Sequence, residues 1–141
     1  MHHQGHGHLS HALSICAELG EPVTILSSLP KHPAWHGPWI SLPRDDLGSG
    51  PIDPTAGGEL HWAPIGDQNF QDRMAQIANW IVRTRPAALF VDVSVEVCVL
   101  SRTMGVPVVT MALPGDRSDR AHRLGYALSD AIIAPWFARF A

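Results

Sequence analysis

The sequence predicts an α/β protein built on a parallel sheet. Two observations carry this. Runs such as Ala88-Leu89-Phe90-Val91-Asp92-Val93 and Val106-Pro107-Val108-Val109-Thr110-Met111 are apolar almost throughout, the mark of strands buried on both faces, because a strand with one wet face would alternate. Between such runs lie segments whose apolar residues recur at helical spacing. Strands alternating with helices imply a parallel sheet covered by helices.

The chain has 141 residues, the length of one domain, so residues 1–141 are expected to form a single unit. Apolar residues make up 45% and charged residues 16%, enough to build a core. The net charge of −3 argues against nucleic acid as a partner, which would call for a basic surface. No apolar run is long enough to span a membrane and no signal peptide stands at the start, so a cytoplasmic location is expected. Cys16 and Cys98 fall in apolar segments and read as buried thiols in a reducing compartment; sequence alone leaves a disulfide open.

The elements follow in order. Leu9, Ala12, Leu13, Ile15, Cys16 and Leu19 mark a helix over 9–19, closed by Gly20. Pro22 breaks the chain, and the β-branched run 23–26 is a short strand. Segment 30–66 carries seven prolines, many glycines and three tryptophans. It reads as a long irregular loop holding one short strand at 39–42, and loops of that length are usually functional or mobile. Met74, Ile77, Ala78, Ile81 and Val82 define a helix over 67–85 that Pro86 stops. A strand over 88–93 ends in an acid. A helix over 95–104 follows, capped by Ser94 and ended by Gly105. The remainder reads as a strand over 106–111, a loop over 112–117, a helix over 120–129 and a strand over 131–134 before Pro135. This is a doubly wound, Rossmann-like layout, in which ligands sit beyond the carboxyl ends of the strands. Segments 5–10, 27–29, 92–94 and 113–117 are expected to gather at that edge. Only residues 1–4 precede the first of them, so the strand that opens such a domain is expected to be truncated. Its loss would leave two edges without a partner, with reduced stability or self-association.

Gly5-His6-Gly7-His8-Leu9-Ser10-His11 is the richest stretch chemically. The glycines let the backbone approach a ligand closely, Ser10 and the following amides offer an anion site at a helix start, and His8 stands where an imidazole can take a proton. Two other readings compete. Met1-His2-His3 resembles the remnant of a tag with solvated histidines, and His8 with His11 could share a helix face around a metal. No Cys, Asp or Glu nearby completes such a site, so neither metal nor cofactor is expected.

These residues carry a family pattern. Gly7-His8-Leu9-Ser10-His11-Ala12-Leu13 is similar to the glycine–histidine loop and small-residue helix of GT-B glycosyltransferases. Phe90-Val91-Asp92-Val93-Ser94, then Leu100, then Gly105-Val106-Pro107-Val108-Val109, is similar to their acid-terminated strand, helix and following strand. In order of elements, nearly the whole chain resembles the N-terminal, acceptor-binding domain of that family. The group includes the UDP-glucuronosyltransferase-like enzymes and the N-acetylglucosaminyltransferase of peptidoglycan synthesis.

The resemblance implies the acceptor half of an enzyme that moves a hexose from a nucleotide-diphosphate sugar to a hydroxyl. The donor would be held by a C-terminal domain or partner chain, and the half would be inactive alone. It implies His8 as general base, with His6 as a rival, and Asp92 as the acid that orients it. Gly5, His6, Gly7, Ser10, Ser94, Gly115, Asp116 and Arg117 would contact substrate. No metal is required, because helix starts and loop amides would meet the diphosphate. A lipid acceptor would add peripheral membrane contact, although no basic amphipathic helix demands it.

Plainer roles stand beside these. Asp92 reads equally as a cap or loop support, and Pro114-Gly115-Asp116-Arg117 as an ordinary turn. Arg44-Asp45-Asp46 reads as a solvated loop and Glu96 as a surface or cap residue. Residues 55–58 are a turn that could face substrate, and Trp35, Trp39 and Trp62 serve to pin the long loop or to stack on an acceptor. Alternative functions are a non-catalytic or partner-dependent binding subunit, a metal-binding protein using His2, His3, His6, His8 and His11, and a fragment of a GT-B-like sugar-nucleotide epimerase.

Overall fold

The computed structural model describes residues 6–45 and 50–134. It is α/β, with four α-helices and two small parallel sheets among these residues. Helix α1 spans His6–Glu18, and no strand precedes it among the described residues. Strands β1 (Ile25–Ser27) and β2 (Trp39–Ser41) pair in parallel, Ile25 beside Trp39. Helix α2 spans Gln68–Thr84, followed by β3 (Leu89–Val91), α3 (Val95–Thr103), β4 (Val108–Met111), α4 (Arg120–Leu128) and β5 (Ala131–Ile133). Strands β3, β4 and β5 form the second parallel sheet in that order, with Leu89 beside Val108 and Val109 beside Ala131.

Local chemistry explains the boundaries. Asp67 caps α2: its Oδ1 accepts from the Phe70 N–H at 2.7 Å, and Arg85 ends the helix in the left-handed conformation at φ 47°, just before Pro86. Gly105, at φ 74°, takes the same conformation after α3, where a Cβ would be strained. The expected loop over residues 5–8 is the main departure. From His6 onward the chain is already helical. Nothing between His6 and Leu9 is proline or β-branched, and one internal glycine costs a helix only about 1 kcal/mol.

Helix α3 lies against β3 and β4, and both α2 and α4 pack on it. The core joins Ile77 and Ile81 of α2, Leu89 and Val91 of β3, Val97 and Cys98 of α3, and Val108 of β4. Leu26 and Ile40 of the first sheet pack against it. Both sheets therefore share one interior. Two expectations of burial fail. Val82 is 64% exposed, one residue off the buried row of α2, which instead runs Arg73, Ile77, Ile81. Strand β5 is exposed along its length, because it is the edge of its sheet, paired only with β4 among the described residues.

Gly125 sits where α4 meets α3. A Cβ there would come within 3.2 Å of Val95 Cγ2. The variant Gly125→Leu is expected to lose about 1–3 kcal/mol through overpacking, read as a lower urea midpoint at unchanged slope. Unchanged stability would mean that the two helices are free to part.

Candidate functional site

Parallel strands send their carboxyl ends to one edge of a sheet, and the loops that leave them form the usual ligand site. Asp92 directly follows β3 and is buried. It lines a small cavity with Val95 and Cys98 of α3, Leu113 after β4, and His122 and Tyr126 of α4. The loops after β3 and β4 thus meet there, whereas no described residue of the other two segments expected at this edge, 5–10 and 27–29, lines the cavity. The cavity has room for about one water, so any larger ligand would lie at its mouth.

The cavity floor is a hydroxyl–thiol chain. Cys98 Sγ is 3.6 Å from Thr110 Oγ1, which is 2.6 Å from Ser129 Oγ, whose hydroxyl donates to the Gly125 carbonyl at 2.7 Å. Burial pushes the Cys98 thiol above its ordinary value, against a smaller opposing effect of Thr110. It stays protonated and acts as packing, since the nucleophilic form is the thiolate. Both cysteines are free, Cys98 buried and Cys16 half-buried.

Glu96 is the residue whose role the sequence conceals. It is buried rather than on the surface. Its Oε1 accepts from the backbone N–H groups of His61 and Trp62, both at 2.7 Å, and its Oε2 accepts from the Ser94 hydroxyl at 2.8 Å. Ser94 occupies the helix-cap position, yet its side chain makes no cap bond to α3, because that hydroxyl is turned to Glu96. The long excursion is therefore fastened to α3. A second fastening lies beside it: Trp62 Nε1 donates to the Asp45 carbonyl at 2.9 Å, and the buried Asp45 carboxylate lies 3.7 Å from Arg73 Nε. The reading of Asp45 as a solvated loop acid fails for this reason. Burial lowers the affinity of the Arg73 guanidinium for its proton, while Asp45 and then Glu96 raise it. Trp35 Nε1 donates to the Pro38 carbonyl at 2.9 Å, a local bond within the loop, so of the two it is Trp62 that pins the segment.

At the start of α4, Asp119 caps the helix by accepting from the His122 N–H at 3.0 Å, and its other oxygen lies 2.6 Å from His122 Nδ1. His61, arriving from the fastened loop, stands edge-on to His122 with ring centroids 4.4 Å apart. The His122 N–H, first among several causes, holds the Asp119 carboxyl below the usual carboxylate range. A carboxyl depressed in the folded state stabilises above its unfolded value, and that stabilisation disappears as pH falls through its folded value. Acid titration is expected to shift the His122 amide resonance below the ordinary carboxylate range, and Asp119→Asn to abolish that shift. A shift that persists in the variant would assign it elsewhere.

The other predicted substrate residues are distributed as follows. Gly5 lies outside the described residues. His6, Gly7 and His8 lie in the first turns of α1, with their side chains outside the described residues. Ser10 is exposed on α1, where its carbonyl accepts from the Ser14 hydroxyl at 3.0 Å; it is inside the helix and not at its start. Gly115 and Asp116 are exposed in the turn after β4. Ser118, through its hydroxyl and its N–H at 2.9 Å, holds the Asp116 carboxyl below its ordinary value. Arg117 is half-buried, with Nη1 donating to the Asp116 carbonyl at 3.3 Å. Residues 55–58 contain a short 3-10 turn, Ala56–Gly58, with no buried residue. No described helix is long and apolar enough to cross a membrane.

Compared with protein-family models, curated proteins and solved structures, the chain matches none of them.

Proposed function

We infer that this chain is the acceptor-binding half of a glycosyltransferase of the GT-B kind, its two parallel sheets belonging to one Rossmann-like domain. The observation that carries the reading is Asp92, a buried acid at the carboxyl end of β3, lining a cavity where the loops after β3 and β4 meet. Parallel α/β domains bind their ligands at that edge. The family pattern in the sequence supplies the base, His8.

In this reading His8 takes the proton of an acceptor hydroxyl, which is a poor nucleophile until that proton has somewhere to go. Asp92 fixes the imidazole tautomer and stabilises the imidazolium that forms. The hydroxyl oxygen attacks the anomeric carbon, the bond to the diphosphate breaks, and configuration inverts. The nucleotide-sugar donor is held by a second domain or a partner chain. Gly115 and Asp116, exposed in the turn after β4, would touch the acceptor or that second body.

The test is release of nucleoside diphosphate from UDP- and TDP-sugars by the chain together with a donor-binding half, over a panel of hydroxyl acceptors. Release that depends on both acceptor and His8 supports the reading. Release without acceptor would favour an epimerase-type relative. No release, with acceptor binding retained, would leave a binding subunit and end the catalytic assignment.

A further inference from the structure

His61 and the pair Asp119 and His122 come from distant parts of the chain and converge beside α4. His61 Nε2 is 3.2 Å from His122 Nδ1, His122 Nδ1 is 2.6 Å from Asp119 Oδ2, and His61 Nε2 is 3.9 Å from Asp119 Oδ1. One ligand atom from each residue lies within 4.8 Å of the others. We propose that these three side chains form a binding site for a divalent cation of the zinc type, with a further coordination position open to water.

The spacing fits the ion. Two nitrogens about 2.0–2.1 Å from a tetrahedral zinc stand about 3.3–3.4 Å apart, against the 3.2 Å found between the two imidazoles. The carboxylate meets the two imidazoles through different oxygens, Oδ2 at 2.6 Å from His122 Nδ1 and Oδ1 at 3.9 Å from His61 Nε2, so a small rotation of Asp119 would bring one oxygen to the ion.

The chemistry points the same way. His122 Nδ1 faces both the carboxylate and His61 Nε2, and neutral imidazoles and a carboxylate each offer a lone pair. A cation among them would take all three lone pairs at once.

The ligands are also held in place before any ion arrives. The His61 N–H is fixed by buried Glu96 at 2.7 Å, and an Arg120–Glu59 ion pair at 2.7 Å ties the same loop to α4. Fixed ligands make a tighter and more selective metal site. The amino end of α4 carries partial positive charge that opposes a cation; the ionised Asp119 offsets it. Two imidazole ligands favour zinc over magnesium or calcium, which take oxygen. The side chains of His61, Asp119 and His122 are 28%, 54% and 17% exposed, so water reaches the site.

The test uses the full chain, stripped with a chelator and titrated with Zn²⁺ by calorimetry. His2, His3, His6, His8 and His11 form a competing set at the amino end, so the titration is run in a background with all five replaced by glutamine. One Zn²⁺ per chain is expected in that background, with affinity falling at least tenfold in His61→Gln, a loss on the scale of about 10–100-fold seen even for outer-shell changes. His61 lies on a loop, so its variant keeps the fold where His122→Gln, which alters a cavity wall, need not. Co²⁺ in place of Zn²⁺ should give the intense visible absorption of a tetrahedral site. No Zn²⁺ bound in the background, or an affinity that His61→Gln leaves unchanged, would overturn the proposal.

Discussion

Replacing Arg73 with methionine is expected to destabilise the fold by about 3–5 kcal/mol, the cost of removing one partner from a buried ion pair. Arg73 is 3% exposed and Asp45 is also 3% exposed, so water cannot take over the role of the guanidinium. Arg73 also donates from Nη1 to the Pro43 carbonyl at 3.4 Å, and the Glu96 charge acts on it as well. Methionine keeps most of the volume and deletes the charge, leaving Asp45 and Glu96 as two carboxylates in one interior. The double variant Arg73→Met with Asp45→Asn should recover a large part of the loss, because removing both members of a buried pair is often close to neutral. Urea unfolding measures both. A loss under about 1 kcal/mol for Arg73→Met would place the pair in the class of solvated ion pairs and contradict its burial.

The second large effect concerns chemistry and follows from the proposed transferase reading. With a donor half supplied, that reading expects His8→Ala to lower kcat by about 10²–10⁴-fold, the usual contribution of a general base. Asp92→Asn should lose a comparable amount by presenting the wrong tautomer of the base. Residues that act as one unit are strongly non-additive, so the double variant should be little worse than the poorer single one. Multiplying losses would mean that Asp92 acts apart from His8, as a support for the β3–α3 turn.

Much of the fold was legible because it rests on local patterning. Apolar runs bounded by Pro and Gly marked β3 and β4, and a 3.6-residue repeat with Asp67 ahead and Pro86 behind marked α2. The carboxyl-end position of Asp92 followed from its place at the close of an apolar run. Less visible was any partnership that spans the chain. Glu96 bonds to amides 34 and 35 residues away, and Arg73 reaches a carbonyl 30 residues away; no periodicity encodes such distances. A signal did exist. Arg73 falls on the row of Ile77 and Ile81, and Glu96 lies in the run Val95-Glu96-Val97-Cys98-Val99, so each is a charge at a core position that demands a buried partner. His61 gave no comparable hint, because its neighbours in sequence say nothing about the start of α4.

Among the groups that tie the long connection to the interior, Glu96 holds it to α3. Because Glu96 takes both the His61 and Trp62 amides, releasing that segment means exposing a buried charge on α3. This stretch around His61 and Trp62 therefore does not fluctuate alone, as irregular backbone usually does. Its two bonded amides should exchange with solvent at rates set by the opening of α3, so that stretch and helix form a single cooperative unit of local unfolding.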